Sequence, residues 1–253
     1  MAARPKVAFF EFTSCEGCQL TVVDSLQTHP ELLEAVEIVR FREAMSEKGD
    51  DYQIAFIEGS CTRPSDEAPL RAIRQQAQVV VALGTCAHLG GVNAIRNRMA
   101  LQDVRRYVYG DKAEWYETYP ARPLEAVIKV DAVIPGCPID RQEFLAAVRA
   151  VLQGRAPQLP DYPVCVECKL KENVCIYQRG KTCLGPITRA GCDAICPTYG
   201  DGCEGCRGLI PQPNIESLKN VLAEHGLSFE EAQAKMSLFL AYQTMEREAV
   251  ADG

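Results

Sequence analysis

The sequence has no apolar run approaching the roughly 18–20 consecutive residues that span a bilayer, so it predicts no transmembrane helix. It has no Walker loop and no Gly-x-Gly-x-x-Gly, so it offers no nucleotide site of either kind. Basic residues are scattered, and the net charge is -7. A nucleic-acid binder needs clustered Lys and Arg to neutralise phosphates, so that class is set aside. The opening residues MAARPKVAFFEF pass quickly into a β-like run, without a cationic segment followed by an apolar core or a twin arginine. The expectation is a cytoplasmic protein. Histidine is scarce as well: of the three, His29 and His225 read as surface residues, and His88 is taken up below.

Cysteine is what the chain has in quantity, with 13 residues. Cytosolic thiols are kept reduced, so metal ligation accounts for them better than disulfides, and the odd total leaves at least one thiol apart. Eight fall within Val164 to Gly208: Cys165, Cys168, Cys175, Cys183, Cys192, Cys196, Cys203 and Cys206. A hydrophobic fraction of 47% with 24% charged residues is that of a globular protein, not of a disordered chain.

In chain order, Lys6 to Phe12 reads as a strand, Thr13 to Cys18 as a turn and Gln19 to Leu26 as a helix. Further strands are expected at Val36 to Arg42, Tyr52 to Glu58 and Gln78 to Leu83, the last apolar enough to be covered on both faces. Ser65 can cap a helix reaching about Ala77. A glycine-rich loop follows at Gly84 to Gly91, then an irregular excursion over residues 99 to 125. Ala132 to Ile134 is a final strand, and Asp140 with Glu143 opens a helix to about Gln153. Alternating strands and helices predict an α/β fold, a flavodoxin-like doubly wound parallel sheet. It would occupy residues 1–157, followed by a small loop-rich two-cluster domain at 158–213 and a helical tail at 214–253. In the tail, Asn214 caps Ile215 to Glu224, and Ser228 with Glu231 caps a second helix from Phe229 to about Glu248. Met236, Phe239 and Leu240 share one face of it, expected to pack on its own domain.

Within the cysteine-dense segment, Cys165, Cys168, Cys175 and Cys183 form one group of four soft ligands, and Cys192, Cys196, Cys203 and Cys206 a second. Each suits a 4Fe-4S cluster or a tetrahedral zinc. The first group has a single Cys-x2-Cys pair, and Cys196-Pro197 is similar to the Cys-Pro that closes bacterial ferredoxin motifs, which favours iron. Upstream, Cys15 and Cys18 lie in the first strand-helix turn, while Cys86 and Cys137 follow later strands. In a doubly wound sheet those positions converge on the C-terminal edge, where ligands bind. The plainer alternative is that Cys86 and Cys137 are small buried apolar residues. The flanking Gly84, Pro135, Gly136 and Pro138 shape tight loops that a core position does not need.

Cys-x-Gly-Cys after the first strand, Gly-Thr-Cys, Pro-Gly-Cys-Pro and the C-terminal cysteine block together resemble the small subunit of nickel-iron hydrogenases, from about Lys6 to Pro213. The resemblance is to cytoplasmic, NAD(P)-linked or sulfhydrogenase delta types more than to exported enzymes. It implies three 4Fe-4S clusters: a proximal one on Cys15, Cys18, Cys86 and Cys137, a medial one on Cys192, Cys196, Cys203 and Cys206, and a distal one on Cys165, Cys168, Cys175 and Cys183. Exported relatives use a histidine as a distal ligand and often a proline in the medial site. Cys165 and Cys196 make both sites all-thiolate here, which implies lower potentials. The resemblance also implies a large subunit carrying the nickel-iron site, and a flavin- or iron-sulfur-containing NAD(P)- or sulfur-linked partner. Hydrogen activation is expected outside this chain, whose cysteines are already allotted.

A respiratory-complex iron-sulfur subunit shares the α/β fold, but has adjacent cysteines at its cluster and no eight-cysteine domain. A zinc-stabilised, noncatalytic assembly protein is the rival from another class. Cys61 reads as an ordinary thiol rather than an extra ligand or redox sensor. His88 reads equally as a cluster hydrogen-bond donor or a backbone-satisfied loop residue. Glu16 reads as an interface-paired or solvated carboxylate ahead of a proton relay.

Overall fold

The computed structural model describes residues 4–251, with side chains through residue 246. The chain divides at Pro157/Gln158 into two compact units, with the tail helices in the second.

The first unit is built on five parallel strands, β1 (Lys6–Glu11), β2 (Glu37–Arg40), β3 (Ile54–Glu58), β4 (Val79–Leu83) and β5 (Ala132–Ile134), in the order β2-β1-β3-β4-β5. This is the flavodoxin-like order expected from the alternating pattern, with its switch point between β1 and β3. Period-two alternation sends Val7, Phe9, Ile54, Phe56, Val81, Leu83 and Ile134 to one face, where they pack with Val22, Phe144 and Leu145. Ala8, Phe10, Ala55, Ile57, Val80 and Ala82 go to the other, against Leu70 and Ile73. Full burial of each large apolar side chain contributes roughly 1.5–3 kcal/mol, so the sheet and its covering helices form the rigid part of the unit.

Helices α1 (Gly17–Thr28) and α3 (Pro64–Gln76) follow β1 and β3. Between them, α2 (Glu31–Ala35) is a short helix that the sequence pattern does not predict. Ser65 is not the cap of α3: Arg63 is, and Asp66 Oδ2 accepts the backbone N–H groups of Thr62 and Arg63 at 3.0 Å each. The expected loop at 84–91 is instead mostly α4 (Gly84–Leu89), continued by a 3-10 stretch, Gly91–Arg98. The excursion over 99–125 contains α5 (Leu101–Tyr109) and two further 3-10 turns. Asp140 Oδ1 accepts from Glu143 N at 2.9 Å and starts α6 (Arg141–Leu152), as the sequence predicts.

The second unit holds α7 (Val164–Leu170), α8 (Ile195–Thr198), α9 (Ile215–Glu224), α10 (Phe229–Phe239) and α11 (Ala241–Ala251). Asn214 caps α9 through Ser217 N at 2.8 Å. Ser228 caps α10 through Glu230 N at 3.0 Å, while Glu231 accepts from Thr182 Oγ1 at 2.9 Å rather than closing a box. The single long helix expected from Phe229 to Glu248 is broken at Leu240, a fully buried residue seated against Gly205. Met236 and Leu240 are buried, so this helix spends its apolar face inside its own unit.

Candidate iron-sulfur sites

Four of the predicted thiols gather at the C-terminal edge of the sheet. Cys15 and Cys18 follow β1, Cys86 lies in α4 after β4, and Cys137 follows β5. A Cβ placed on Gly17 would meet Cys15 Sγ at 3.4 Å and Pro138 Cβ at 3.8 Å, which brings the first and last loops together. Gly84 has φ +80 and a Cβ there would collide with Cys18 Sγ; on Gly91 it would lie 2.8 Å from Cys86 Sγ. Backbone without side chains thus packs directly against two of the thiols, where a Cβ would not fit. Burial pushes the Cys86 thiol up to about 12, with the thiolates of Cys137 and Cys15 adding to the shift. Cys18 is raised for the same first reason, then by Glu58, with Cys86 and Cys137 contributing. Thiols so placed stay protonated unless a metal displaces the proton.

Glu58 is the residue here that the sequence pattern does not single out. It ends β3 with 2% of its surface exposed. Its carboxylate accepts Cys18 N at 3.3 Å and Gln19 N at 3.0 Å, and burial raises its pKa against those bonds. The available signal is a lone acid closing a strand whose other residues are all apolar. Gln19, 1% exposed, buries both side-chain amide atoms without a partner.

In the second unit, Cys165, Cys168, Cys175 and Cys183 all line one cavity of about 30 Å³, with Tyr177, Gly185 and Pro197 among its walls. A Cβ on Gly185 would stand 3.3 Å from Cys183 Sγ and 3.4 Å from Cys165 Sγ. Cys183 Sγ accepts two backbone N–H bonds, from Cys203 at 3.2 Å and Gly185 at 3.4 Å, which favour its thiolate. Burial, followed by the neighbouring thiolates of Cys183, Cys168 and Cys175, pushes Cys165 up to about 12.

In the third group, Cys203 and Cys206 are electrostatic neighbours, while Cys192 precedes α8 and Cys196 lies within it. Glu167 braces this loop by accepting Gly191 N at 2.7 Å and Ala194 N at 3.1 Å, and fully buried Arg207 offsets charge at Cys192. The second and third groups adjoin through the hydrogen bond from Cys203 N to Cys183 Sγ. Among the described residues no three His, Cys, Asp or Glu side chains converge tightly enough for a single metal ion. Four soft thiolates around the one cavity, N–H donors aimed at the Cys183 sulfur and glycine backbone packed against the thiols fit a polynuclear iron-sulfur group.

Of the remaining candidates, Glu16 and His88 share the segments that carry Cys15, Cys18 and Cys86, whereas Cys61 does not. Cys61 is fully buried in the opposite core and shares a 2.8 Å hydrogen bond with the Tyr119 hydroxyl. Glu16, at the N-cap of α1 with φ 64, pairs with Arg42 at 3.8 Å. His88 sits in the last turn of α4. No described helix is long and apolar enough to cross a membrane.

Fold and site together define an α/β protein with four thiols gathered at the C-terminal edge of its parallel sheet. The sequence model of the family described as NADH ubiquinone oxidoreductase, 20 Kd subunit, matches residues 15–151. The Sulfhydrogenase 2 subunit delta of Pyrococcus furiosus is 36% identical over 236 residues, covering 92% of this chain and 98% of that one. A subunit of the vhu F420-non-reducing hydrogenase of Methanocaldococcus jannaschii is 32% identical over 267 residues, covering 92% of each. Among solved structures, an NAD+-reducing NiFe-hydrogenase in the H2-reduced state superposes with a TM-score of 0.57 at 25% identity, over 62% of this chain and 96% of that one. The chain belongs to this family as a small-type subunit of nickel-iron hydrogenases, an oxidoreductase subunit of a hydrogenase.

Proposed function

We propose that the chain is the electron-transfer subunit of its hydrogenase, with three 4Fe-4S clusters held by twelve cysteines. Cys15, Cys18, Cys86 and Cys137 would hold the proximal cluster, Cys192, Cys196, Cys203 and Cys206 the medial one, and Cys165, Cys168, Cys175 and Cys183 the distal one. Such clusters, when bound, supply reversible one-electron exchange. The chain's own residues fix the thiolates, exclude water and set the surrounding charge. The observation that carries the reading is the meeting of four thiols from three separate segments at the sheet edge, with glycine backbone packed against two of them.

Several residues have definable parts in this scheme. Glu58 holds the start of α1 by its two backbone bonds and places negative charge beside Cys18. Cys203 N and Gly185 N stabilise the Cys183 thiolate, and Arg207 offsets charge at Cys192. All-cysteine ligation at Cys165 and Cys196 adds negative charge and lowers potential, which suits a low-potential acceptor. The partners are a large subunit carrying the nickel-iron site and a flavin- or iron-sulfur-containing subunit linked to NAD(P) or sulfur, in the cytoplasm. Iron and acid-labile sulfide analysis of the anaerobically purified chain, with an electron paramagnetic resonance spectrum after reduction, tests it. Iron bound as 4Fe-4S clusters at all three sites supports the reading, and zinc in their place rejects it.

A further inference from the structure

One acid of the second unit serves a set of cysteines other than the one it lies among. Glu167 stands in α7 between Cys165 and Cys168, two thiols of the distal set. Its carboxylate reaches across to the Cys192–Cys196 loop of the medial set, where Oε1 accepts Gly191 N at 2.7 Å and Oε2 accepts Ala194 N at 3.1 Å. Oε2 also lies 4.0 Å from Cys192 Sγ. The two donors flank Cys192 in sequence, so the acid holds the loop on both sides of that thiol.

The loop is one that needs such a brace. Asp193 has φ 57 and Ala194 φ 47, two consecutive left-handed residues of which neither is glycine. L side chains disfavour that conformation, which persists where the surroundings over-determine it. The turn aims the N–H groups of Gly191 and Ala194 at one carboxylate, the arrangement of an anion-binding nest. Other ties from the α7 segment to this loop are weaker: Lys171 pairs with the exposed Asp193, and Asn173 Nδ2 donates to Thr198 Oγ1 at 3.0 Å at the surface. Buried Arg207 donates from Nε to Ala190 O at 2.8 Å, which anchors the residue ahead of the left-handed turn rather than the turn itself. Glu167 also places charge beside sulfur: after burial, it is the next cause that raises the Cys192 thiol.

We infer that Glu167 is the positioning residue that gives the Cys192–Cys196 loop its ligating shape, so that the distal segment templates the medial site, and that its charge lowers the potential of the medial cluster. The inference rests on the reading of the two sets as cluster ligands and adds the dependence of one set on the other. Shape and charge act in opposite directions, since the brace favours loading while the negative charge disfavours a thiolate. Different substitutions therefore separate them.

The purified complex tests it through metal and acid-labile sulfide per chain and a redox titration followed by electron paramagnetic resonance, the medial signal being the one that Cys196→Pro alters. Glu167→Ala should lower occupancy of the medial site roughly tenfold, the penalty of an unheld left-handed residue, and leave the distal signal in place. Adding Ala194→Gly should restore the medial site, because glycine takes positive φ without strain. Glu167→Gln keeps one acceptor and loses the charge. It should load more of the site than Glu167→Ala and titrate at a higher medial potential, with the other two signals unmoved. Full medial occupancy in Glu167→Ala overturns the brace, as does joint loss of the medial and distal signals that Ala194→Gly does not rescue. An unmoved medial potential in Glu167→Gln overturns the electrostatic part. Zinc in the wild type overturns the cluster reading alone, because the same variants then read the brace as zinc per chain.

Discussion

Glu58 accepts a 3.3 Å hydrogen bond from the backbone N–H of Cys18, placing a buried carboxylate directly behind the first helical thiol. The end of β3 is thereby tied to the start of α1 across the switch point of the sheet. It also supplies negative charge at the proximal site.

Glu58→Gln keeps the size of the side chain and removes that charge. The reduction potential of the proximal cluster should rise by tens of millivolts, since about 59 mV is a tenfold change for one electron. The new amide NH2 cannot accept both N–H bonds, so stability should fall by about 1–3 kcal/mol. Redox titration followed by electron paramagnetic resonance, beside a denaturant melt, reads both; an unmoved potential removes Glu58 from the electrostatics of the site.

Gly84→Ala should block loading of the proximal site while sparing the other two. The residue has φ +80, and its new Cβ would collide with Cys18 Sγ. The conformation alone costs on the order of 1–3 kcal/mol for a non-glycine residue. Iron analysis should show a loss of about four irons per chain, the content of one cluster; full iron content means that Cys18 is not a ligand.

Cys196→Pro should convert the medial site to a three-iron cluster of higher potential. Its signature is a new signal in the oxidised protein. An unchanged four-iron spectrum shows that Cys196 is not a ligand.

The strands and α1, α3, α6, α9 and α10 were legible in the sequence because apolar periodicity and capping residues are local signals, whereas α2, α4 and α5 were not. β4, VVVAL, is readable as a doubly covered strand from its composition alone. The convergence of Cys15, Cys18, Cys86 and Cys137 follows once the strand order is known, because the C-terminal edge of a parallel sheet is fixed by topology. Glu58 was not legible as a site residue, since its importance comes from Cys18 N and Gln19 N, which lie far from it in sequence. The break at Leu240 was hidden for a similar reason: the helix signal continues through it, while Leu240 is buried against Gly205, far from it in sequence. Residues 99–125 carry α5, where Leu101, Val104 and Val108 recur at helical spacing although no residue of the helix is buried.

Asp131 gives a pH prediction independent of the metals. Burial opposes its charge, but Arg74, the backbone N–H of Val80 and Lys129 together hold its pKa below the ordinary 3.8. A carboxyl depressed in the folded state contributes stability that is present above the unfolded pKa and is lost as pH falls through the folded one. Asp131→Asn should therefore cost about 1–2 kcal/mol near neutrality. The gap to wild type should close below about pH 3. Melts at several pH values check it; a gap that persists in acid contradicts the electrostatic origin.

Whether twelve cysteines hold three clusters is decided by a metal count on the anaerobically purified chain in its complex, paired with electron paramagnetic resonance of the reduced protein. The expected result is about twelve irons on this chain, the content of three four-iron clusters, with signals from all three. Zinc bound in place of iron, or iron for only one cluster with the cysteines of Val164 to Gly208 free to react with a thiol reagent, would contradict it.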